Sequence, residues 1–330
     1  KEATQSIASI LKKGDTVIYE SSVYPGTTTK ICLPILETIS GLKEGKDFFI
    51  GYSPERVNPA DTIHTLKTIT KLISAQHQQT LNLMQDIYGQ ICNKLHVCSN
   101  IEIAEASKIL ENVQRDVNIA LMNEFTTVMH HLHLDTQEII HAAATKYNFL
   151  AFQPGLVGGH CISIDPEYLV YLAHQHGVDT PLISTARTVN NGITTFIQTE
   201  LVKLLLLQHP KPTAYRIGIF GVSYKPNVPD TRNSLVFKWI KECQSYPFEF
   251  IIHDPFYEHQ TLSEQCQIPI LAFEDIHDLD VCMIFVGHDY YKKLGLQSLL
   301  ERCRSPYLCM DIANLFYDSD KPKNIYYWHL

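Results

Sequence analysis

Apolar positions along this chain fall into three stretches with different periods. Over residues 1–98, short β-branched and aromatic runs alternate with polar turns. Thr16–Tyr19, Phe48–Tyr52, Thr68–Ile73 and Leu95–Cys98 predict strands, and Thr28–Ile39 predicts a helix. From residue 99 the spacing becomes helical. Ile101–Leu132 is amphipathic without Pro or Gly, and Asp135–Ala144 predicts a second helix. A glycine-rich loop, Pro154–Cys161, follows, and then helices from about Pro166 and from about Leu182 to Gln208. From Tyr215 the alternation returns, with strands at Arg216–Gly221, Phe250–His253, Val281–Val286 and Tyr307–Asp311 and a helix over Asn233–Cys243. Strand–helix alternation signals a parallel sheet with crossover helices. The expected plan is therefore α/β over 1–98, a helical middle domain over 99–209 with a long bridging helix, and α/β again over 210–330.

Size and composition agree with this plan. A chain of 330 residues exceeds what one core usually holds. With 45% hydrophobic and 19% charged residues it has the composition of a globular protein, and its longest apolar runs, such as Leu204–Leu207, cannot cross a bilayer. The net charge of −8 argues against a nucleic-acid surface. Nine scattered cysteines without a CxxC pair suit reduced thiols in a cytoplasmic protein better than disulfides or a zinc site. His130, His131 and His133 cluster without a carboxylate or cysteine at ligand spacing, so a solvated helix face is expected there and no metal.

Chemistry concentrates around Gly158-Gly159-His160-Cys161. Glycines without Cβ let a ligand approach the backbone before Cys161, and Asp165 stands four residues on. A thiol is nucleophilic as thiolate, so Cys161 reads either as a nucleophile or as one more buried thiol. Lys108 and Asn112 share a helix face and could stabilise an oxyanion together, or be an incidental exposed pair. Asp165 can orient water or the lysine, or assist proton transfer, or cap a loop beside Pro166. Glu55 ends a strand, where catalytic groups sit in open α/β sheets, and is assigned to general-base or water activation. Ser22 can hold a water or contact cofactor, or simply cap a helix. Lys225 and Arg232 lie in a strand-to-helix loop, a phosphate site that needs no GxGxxG, or a surface basic pair.

Taken in order, these motifs resemble the UDP-glucose/GDP-mannose dehydrogenase superfamily of nucleotide-sugar 6-dehydrogenases. The matching residues are Glu20-Ser21-Ser22 with Pro25-Gly26-Thr27, Ser53-Pro54-Glu55-Arg56-Val57, Glu105 to Lys108 with Asn112, and Asn123-Glu124. Further on come Asn148-Phe149, Pro154 to Cys161, Asp165-Pro166, Gly221 to Asn227, Asp230 to Ser234 and His253-Asp254-Pro255. The pattern is most similar to the bacterial UDP-N-acetylglucosamine or UDP-N-acetylgalactosamine branch. Departures are Ser21-Ser22 for a usual Ser-Thr, Pro59-Ala60 for Pro-Gly, and Ser163 and Glu167 for a glycine and an aromatic.

The resemblance implies two Rossmann-like domains, the first binding NAD and the last a UDP-sugar, with a homodimer through the helical domain. It implies four-electron oxidation of a sugar C6 hydroxymethyl by way of a Cys161 thiohemiacetal and thioester, in surface-polysaccharide precursor synthesis (capsule or O-antigen). It assigns Lys225 to the UDP-sugar, Arg232 to a place near cofactor phosphate, and Ser22 and Glu55 to the cofactor side. Tyr147, Asn148, Phe152, Gly155 and Gly158 are expected along the sugar–diphosphate path with Lys108, while Arg187 and Asn190 are expected to be structural. No GxGxxG is present, so the first domain is expected to lack its opening βαβ units, about a hundred residues at about 30 each. Rival readings are UDP-glucose 6-dehydrogenase or another nucleotide-sugar dehydrogenase, a β-hydroxyacid dehydrogenase, a non-catalytic UDP-sugar-binding fragment, and a Cys/His hydrolase using His160. Cys161 and the second α/β domain count against the β-hydroxyacid enzyme.

Overall fold

The computed structural model describes residues 1–58, 61–159, 161–208, 210, 214–257, 268 and 270–330. His160 and Pro59-Ala60 lie outside the described residues. The chain forms two compact units, residues 1–115 with 164–184, and residues 116–163 with 185–330. Each unit contains one sheet.

The first unit contains α1 (Glu2–Ala8), β1 (Thr16–Tyr19), α2 (Leu33–Ser40), β2 (Phe49–Tyr52), β3 (Thr70–Ala75), α3 (Gln78–Gly89) and β4 (Lys94–Val97). It also holds the opening half of α4 (Ile101–His131) and α6 (Asp165–Gln175), while α5 (Thr136–Ala144) belongs to the second unit. A π-helical turn, Thr28–Cys32, leads into α2, so the single helix expected over Thr28–Ile39 is divided. Sheet order is β1-β2-β3-β4. The β1–β2 and β3–β4 pairs are parallel, but β2 and β3 run antiparallel. The wholly parallel sheet expected from alternation is thus interrupted, because no crossover helix occurs among the described residues of the connection between them. Leu36, Phe48, Ile50, Tyr52, Leu72, Ile101 and Ala104 form its core.

The second unit is built on five parallel strands. β5 (Tyr215–Phe220), β6 (Phe248–His253), β7 (Val281–Ile284), β8 (Tyr307–Asp311) and β9 (Ile325–His329) lie in the order β6-β5-β7-β8-β9. Helices α8 (Leu235–Glu242) and α9 (Asp289–Leu300) accompany them. β5 and β7 are buried almost throughout, which matches their unbroken apolar sequence. The long α7 (Pro181–Gln208) presents Ile193, Ile197, Leu201 and Leu205, one turn apart in succession, to this core. Trp239 and Trp328 are buried there too.

Four elements do not follow from the sequence pattern. α1 has seven residues, α3 is rich in polar residues, and α9 is kinked at Gly295 (φ 80°). β9, Ile-Tyr-Tyr-Trp-His, follows a charged loop and pairs with β8 at the end of the sheet order. His130 also departs from the solvated face expected of it. Its ring sits 5.4 Å from Phe196 and 5.1 Å from Trp328, and burial pushes its pKa down.

Candidate functional site

In the first unit, four of the expected site residues converge. Lys108 and Asn112 lie one turn apart on α4, at 9% and 7% exposure. Asp165, the first residue of α6, is also buried, and Asn112 Nδ2 donates to its Oδ2 at 2.6 Å. Burial pushes the Asp165 carboxyl up, opposed by the Asn112 hydrogen bond, the Lys108 charge and a hydrogen bond from Ser22. The helical turn that follows Ser22 has Thr27 at its N-cap, so Ser22 does not cap it. The Asn112 amide spends one of its two hydrogens on the carboxylate, leaving one for a ligand. A lysine, an amide and a raised carboxyl in one place can move a proton and stabilise an alkoxide.

The β1 and β2 ends are fastened side by side. Ser53 N–H donates to Tyr19 O and Glu55 N–H to Glu20 O. Glu55 is exposed there, its Oε1 accepting from Val57 N–H. These carboxyl ends of parallel strands are where sheets of this class receive a dinucleotide. The exposed Glu55 carboxylate and the Ser21 hydroxyl are hydrogen-bonding groups of the kind a dinucleotide's hydroxyls and amide would need there.

Two residues here were given no role from sequence. Lys71, on β3 and 1% exposed, directs Nζ to Ser53 O, Pro54 O and Glu20 Oε1 at 3.3–3.4 and 3.2 Å, holding the turn before Glu55. A lysine flanked by Thr and Leu inside a strand is the signal that could have revealed it. Glu105, fully buried, accepts from Gly26 N at 2.6 Å and Thr28 N at 2.9 Å, so it caps the π turn. Arg56 does not face a ligand; it is paired to Glu111 at 2.8 Å.

In the second unit a cavity of about 570 Å³ opens beside α8. Gly155, Gly158, Lys225, Ser234, Phe285 and Tyr317 are among its lining. Lys225 stands 5.9 Å from the Tyr224 ring centroid. Ser234 caps α8, so a helix N-terminus and an ammonium share one cavity, a combination suited to phosphate. Arg232, by contrast, is exposed and paired to Asp230 at 2.6 Å. Tyr147, Asn148 and Phe152 do not line the cavity, and Tyr147 is 96% exposed.

The loop before Cys161 is held by backbone recognition. Asn123, at 1% exposure, accepts Gly155 N–H at 2.8 Å and donates to Gly155 O at 3.0 Å. Asn123 also donates to Asn190 Oδ1 at 2.9 Å, and Asn190 donates to Asp116 Oδ1 at 2.7 Å. Arg187 closes the chain with a 2.6 Å ion pair to Asp116. Burial raises the Asp116 carboxyl, and Arg187 and Asn190 oppose this. The structural roles expected of Arg187 and Asn190 are of this kind.

Gly158 and Gly159 also lie close against the chain itself. A Cβ on Gly158 would lie 2.7 Å from Asn233 O, and one on Gly159 2.7 Å from Tyr224 Cδ2. A side chain at either position would therefore meet the chain's own atoms. Gly159 also has φ +86°, which disfavours a side chain. Cys161 is exposed, so a substrate can reach the sulfur.

A Lys–Asn–Asp cluster in the first unit, and an exposed thiol and a phosphate-suited cavity in the second, are the groups an alcohol oxidation on a phosphorylated substrate needs. Residues 1–92 match the NAD-binding domain of the UDP-glucose/GDP-mannose dehydrogenase family, residues 102–192 its central domain, and residues 218–318 its UDP-binding domain. UDP-N-acetyl-D-glucosamine 6-dehydrogenase of Pseudomonas aeruginosa is 37% identical over 321 residues, covering 97% of this chain and 76% of that protein. Protein CapL of Staphylococcus aureus is 39% identical, covering 88% and 69%. Among solved structures, the UDP-D-ManNAc dehydrogenase of Pyrococcus horikoshii superimposes with a TM-score of 0.85 at 28% identity, covering 99% of this chain and 75% of that one. The chain belongs to the UDP-glucose/GDP-mannose dehydrogenase family, and is an NAD-dependent oxidoreductase of nucleotide sugars.

Proposed function

We propose that this protein oxidises the C6 hydroxymethyl of a UDP-N-acetylhexosamine to the uronic acid, in surface-polysaccharide precursor synthesis in the cytoplasm. The names of its relatives support the substrate class. The observation that carries the chemistry is the exposed Cys161 four residues before an Asp165 held by Asn112 and influenced by Lys108.

NAD, when bound, supplies the acceptor for the hydride of each oxidation. The chain's own residues do the rest. Lys108 and Asn112 stabilise negative charge on the C6 oxygen, and Asp165 exchanges the proton with Lys108. Cys161 attacks the aldehyde carbon to give a thiohemiacetal and then carries the acyl group as a thioester. Glu55 activates water for thioester hydrolysis, and Ser22 keeps Asp165 oriented. Lys225 holds the diphosphate in the cavity with Gly155 and Gly158, and Arg232 supports cofactor phosphate. Tyr147, Asn148 and Phe152, outside the cavity, contact the hexose end. The helices of 99–209 form a homodimer.

Incubating the protein with NAD and UDP-N-acetylglucosamine, UDP-N-acetylgalactosamine or UDP-glucose, with NADH and uronate both measured, tests this. Two NADH per uronate on an N-acetylated sugar is expected. Preference for UDP-glucose would overturn the substrate class, and UDP-sugar binding without NADH would overturn catalysis.

A further inference from the structure

His253-Asp254-Pro255 at the end of β6 belongs to the motif pattern, yet none of the chemistry above uses it. In the structure Asp254 and His288 are both fully buried, 3.2 Å apart between Oδ2 and Nε2. They fasten both ends of the segment that carries Lys225. At its start, Asp254 Oδ2 accepts Val222 N–H at 2.8 Å, Ser223 N–H at 3.2 Å and the Ser223 hydroxyl at 3.0 Å. At its end, Asn227 N–H donates to His288 Nδ1 at 2.9 Å. Asn227 has φ +60°, an uncommon backbone state for a residue with a side chain. Its Oδ1 accepts Asp289 N–H at 3.0 Å, so the first residues of α9 hold that state from two sides.

The donor directions also settle the imidazole tautomer. Nδ1 accepts from Asn227, so the hydrogen sits on Nε2 and is donated to Asp254. The same carboxylate therefore orients the ring and receives the loop's first two N–H groups. Burial acts to raise the Asp254 carboxyl, but His288 and the Val222 and Phe256 N–H donors outweigh it.

We infer that Asp254 and His288 are positioning residues for nucleotide binding: touching no ligand, they set the Val222–Asn227 segment so that Lys225 lines the cavity. The inference rests on the proposed reading of that cavity as the UDP site, and the experiment separates the two. UDP and NAD dissociation constants are measured by calorimetry on the full chain and on His288→Leu and His288→Gln. Leucine cannot accept the Asn227 N–H and leaves Asp254 without its imidazole donor, so UDP affinity should fall about tenfold. NAD affinity and kcat at saturating UDP-sugar should remain within about threefold of the parent. Glutamine can accept through Oε1 and donate through Nε2, so His288→Gln should restore UDP affinity to within about threefold.

Unchanged UDP binding in His288→Leu, or His288→Gln as weak as His288→Leu, overturns the inference. If His288→Leu does not fold, the ¹⁵N shifts of His288 in the UDP-bound parent decide: an acceptor-type Nδ1 supports it and a protonated Nδ1 overturns it. A parent that binds no UDP overturns the reading of the cavity itself, an outcome distinct from a parent and a leucine variant that bind UDP equally.

Discussion

Gly158→Ala separates two explanations of the glycines before Cys161. If they exist so that a ligand can approach, alanine will weaken ligand binding and leave the empty protein's stability alone. If they exist because α8's leading turn lies against them, alanine will destabilise the empty protein. The built Cβ meets Asn233 O at 2.7 Å and Ser234 Cα at 3.5 Å. Both are backbone atoms just before α8, so the contact cannot be relieved by rotating a side chain. Overpacking of this kind costs about 1–3 kcal/mol. In a unit of roughly two hundred residues, each kcal/mol lowers the melting temperature by about 2–4 °C. Calorimetry on ligand-free protein should therefore show a fall of about 4–8 °C for a mid-range cost of about 2 kcal/mol. An unshifted transition combined with weakened UDP affinity would refute the packing argument and return these glycines to the ligand.

Four further outcomes follow from the same geometry. Cys161→Ala should abolish uronate formation while UDP binding stays unchanged; normal uronate output would remove the sulfur from the chemistry. Lys225→Ala should weaken UDP binding about tenfold or more with little effect on NAD, since a charge-assisted phosphate contact is worth about 1.5–3 kcal/mol; equal losses for both ligands would refute its assignment. Arg187→Met leaves Asp116 buried without its cation, which should cost about 3–5 kcal/mol by chemical denaturation; a loss below about 1 kcal/mol would show the pair to be dispensable. Because burial raises the Asp165 carboxyl, the folded state keeps a proton there that the unfolded chain releases from about pH 4 upward. That carboxyl's contribution to stability therefore declines as pH rises through this window. Asp165→Asn should flatten that decline as well as stop turnover, and an identical pH–stability profile would sink the argument.

The order α/β, helical, α/β was legible because strand and helix periods are local properties, written within a few residues of each position. Four strands of the second sheet and the long α7 follow from that pattern, whereas Cys161, Lys108, Asn112 and Asp165 were singled out by their side-chain chemistry and by the family resemblance. The seven-residue α1 and the polar-rich α3 and α9 were lost to the same reasoning, and β9 because its pairing with β8 is a long-range contact.

What the chain's residues determine by themselves is which chemistry is available and in what order it occurs: a thiol, a lysine and amide one turn apart, a carboxyl, a basic strand-to-helix loop. What only the tertiary structure decided is who stands beside whom. Ser22 bonds Asp165, Lys71 holds the turn before Glu55, and Asn123 grips Gly155 from another element. Asn233 and Tyr224 lie against the paired glycines, β2 and β3 run antiparallel, and Tyr147 stands outside the cavity. The physical reason is the range of the forces involved. Period and propensity act between neighbours along the chain, whereas packing, desolvation and hydrogen-bond satisfaction act between residues that folding alone brings together.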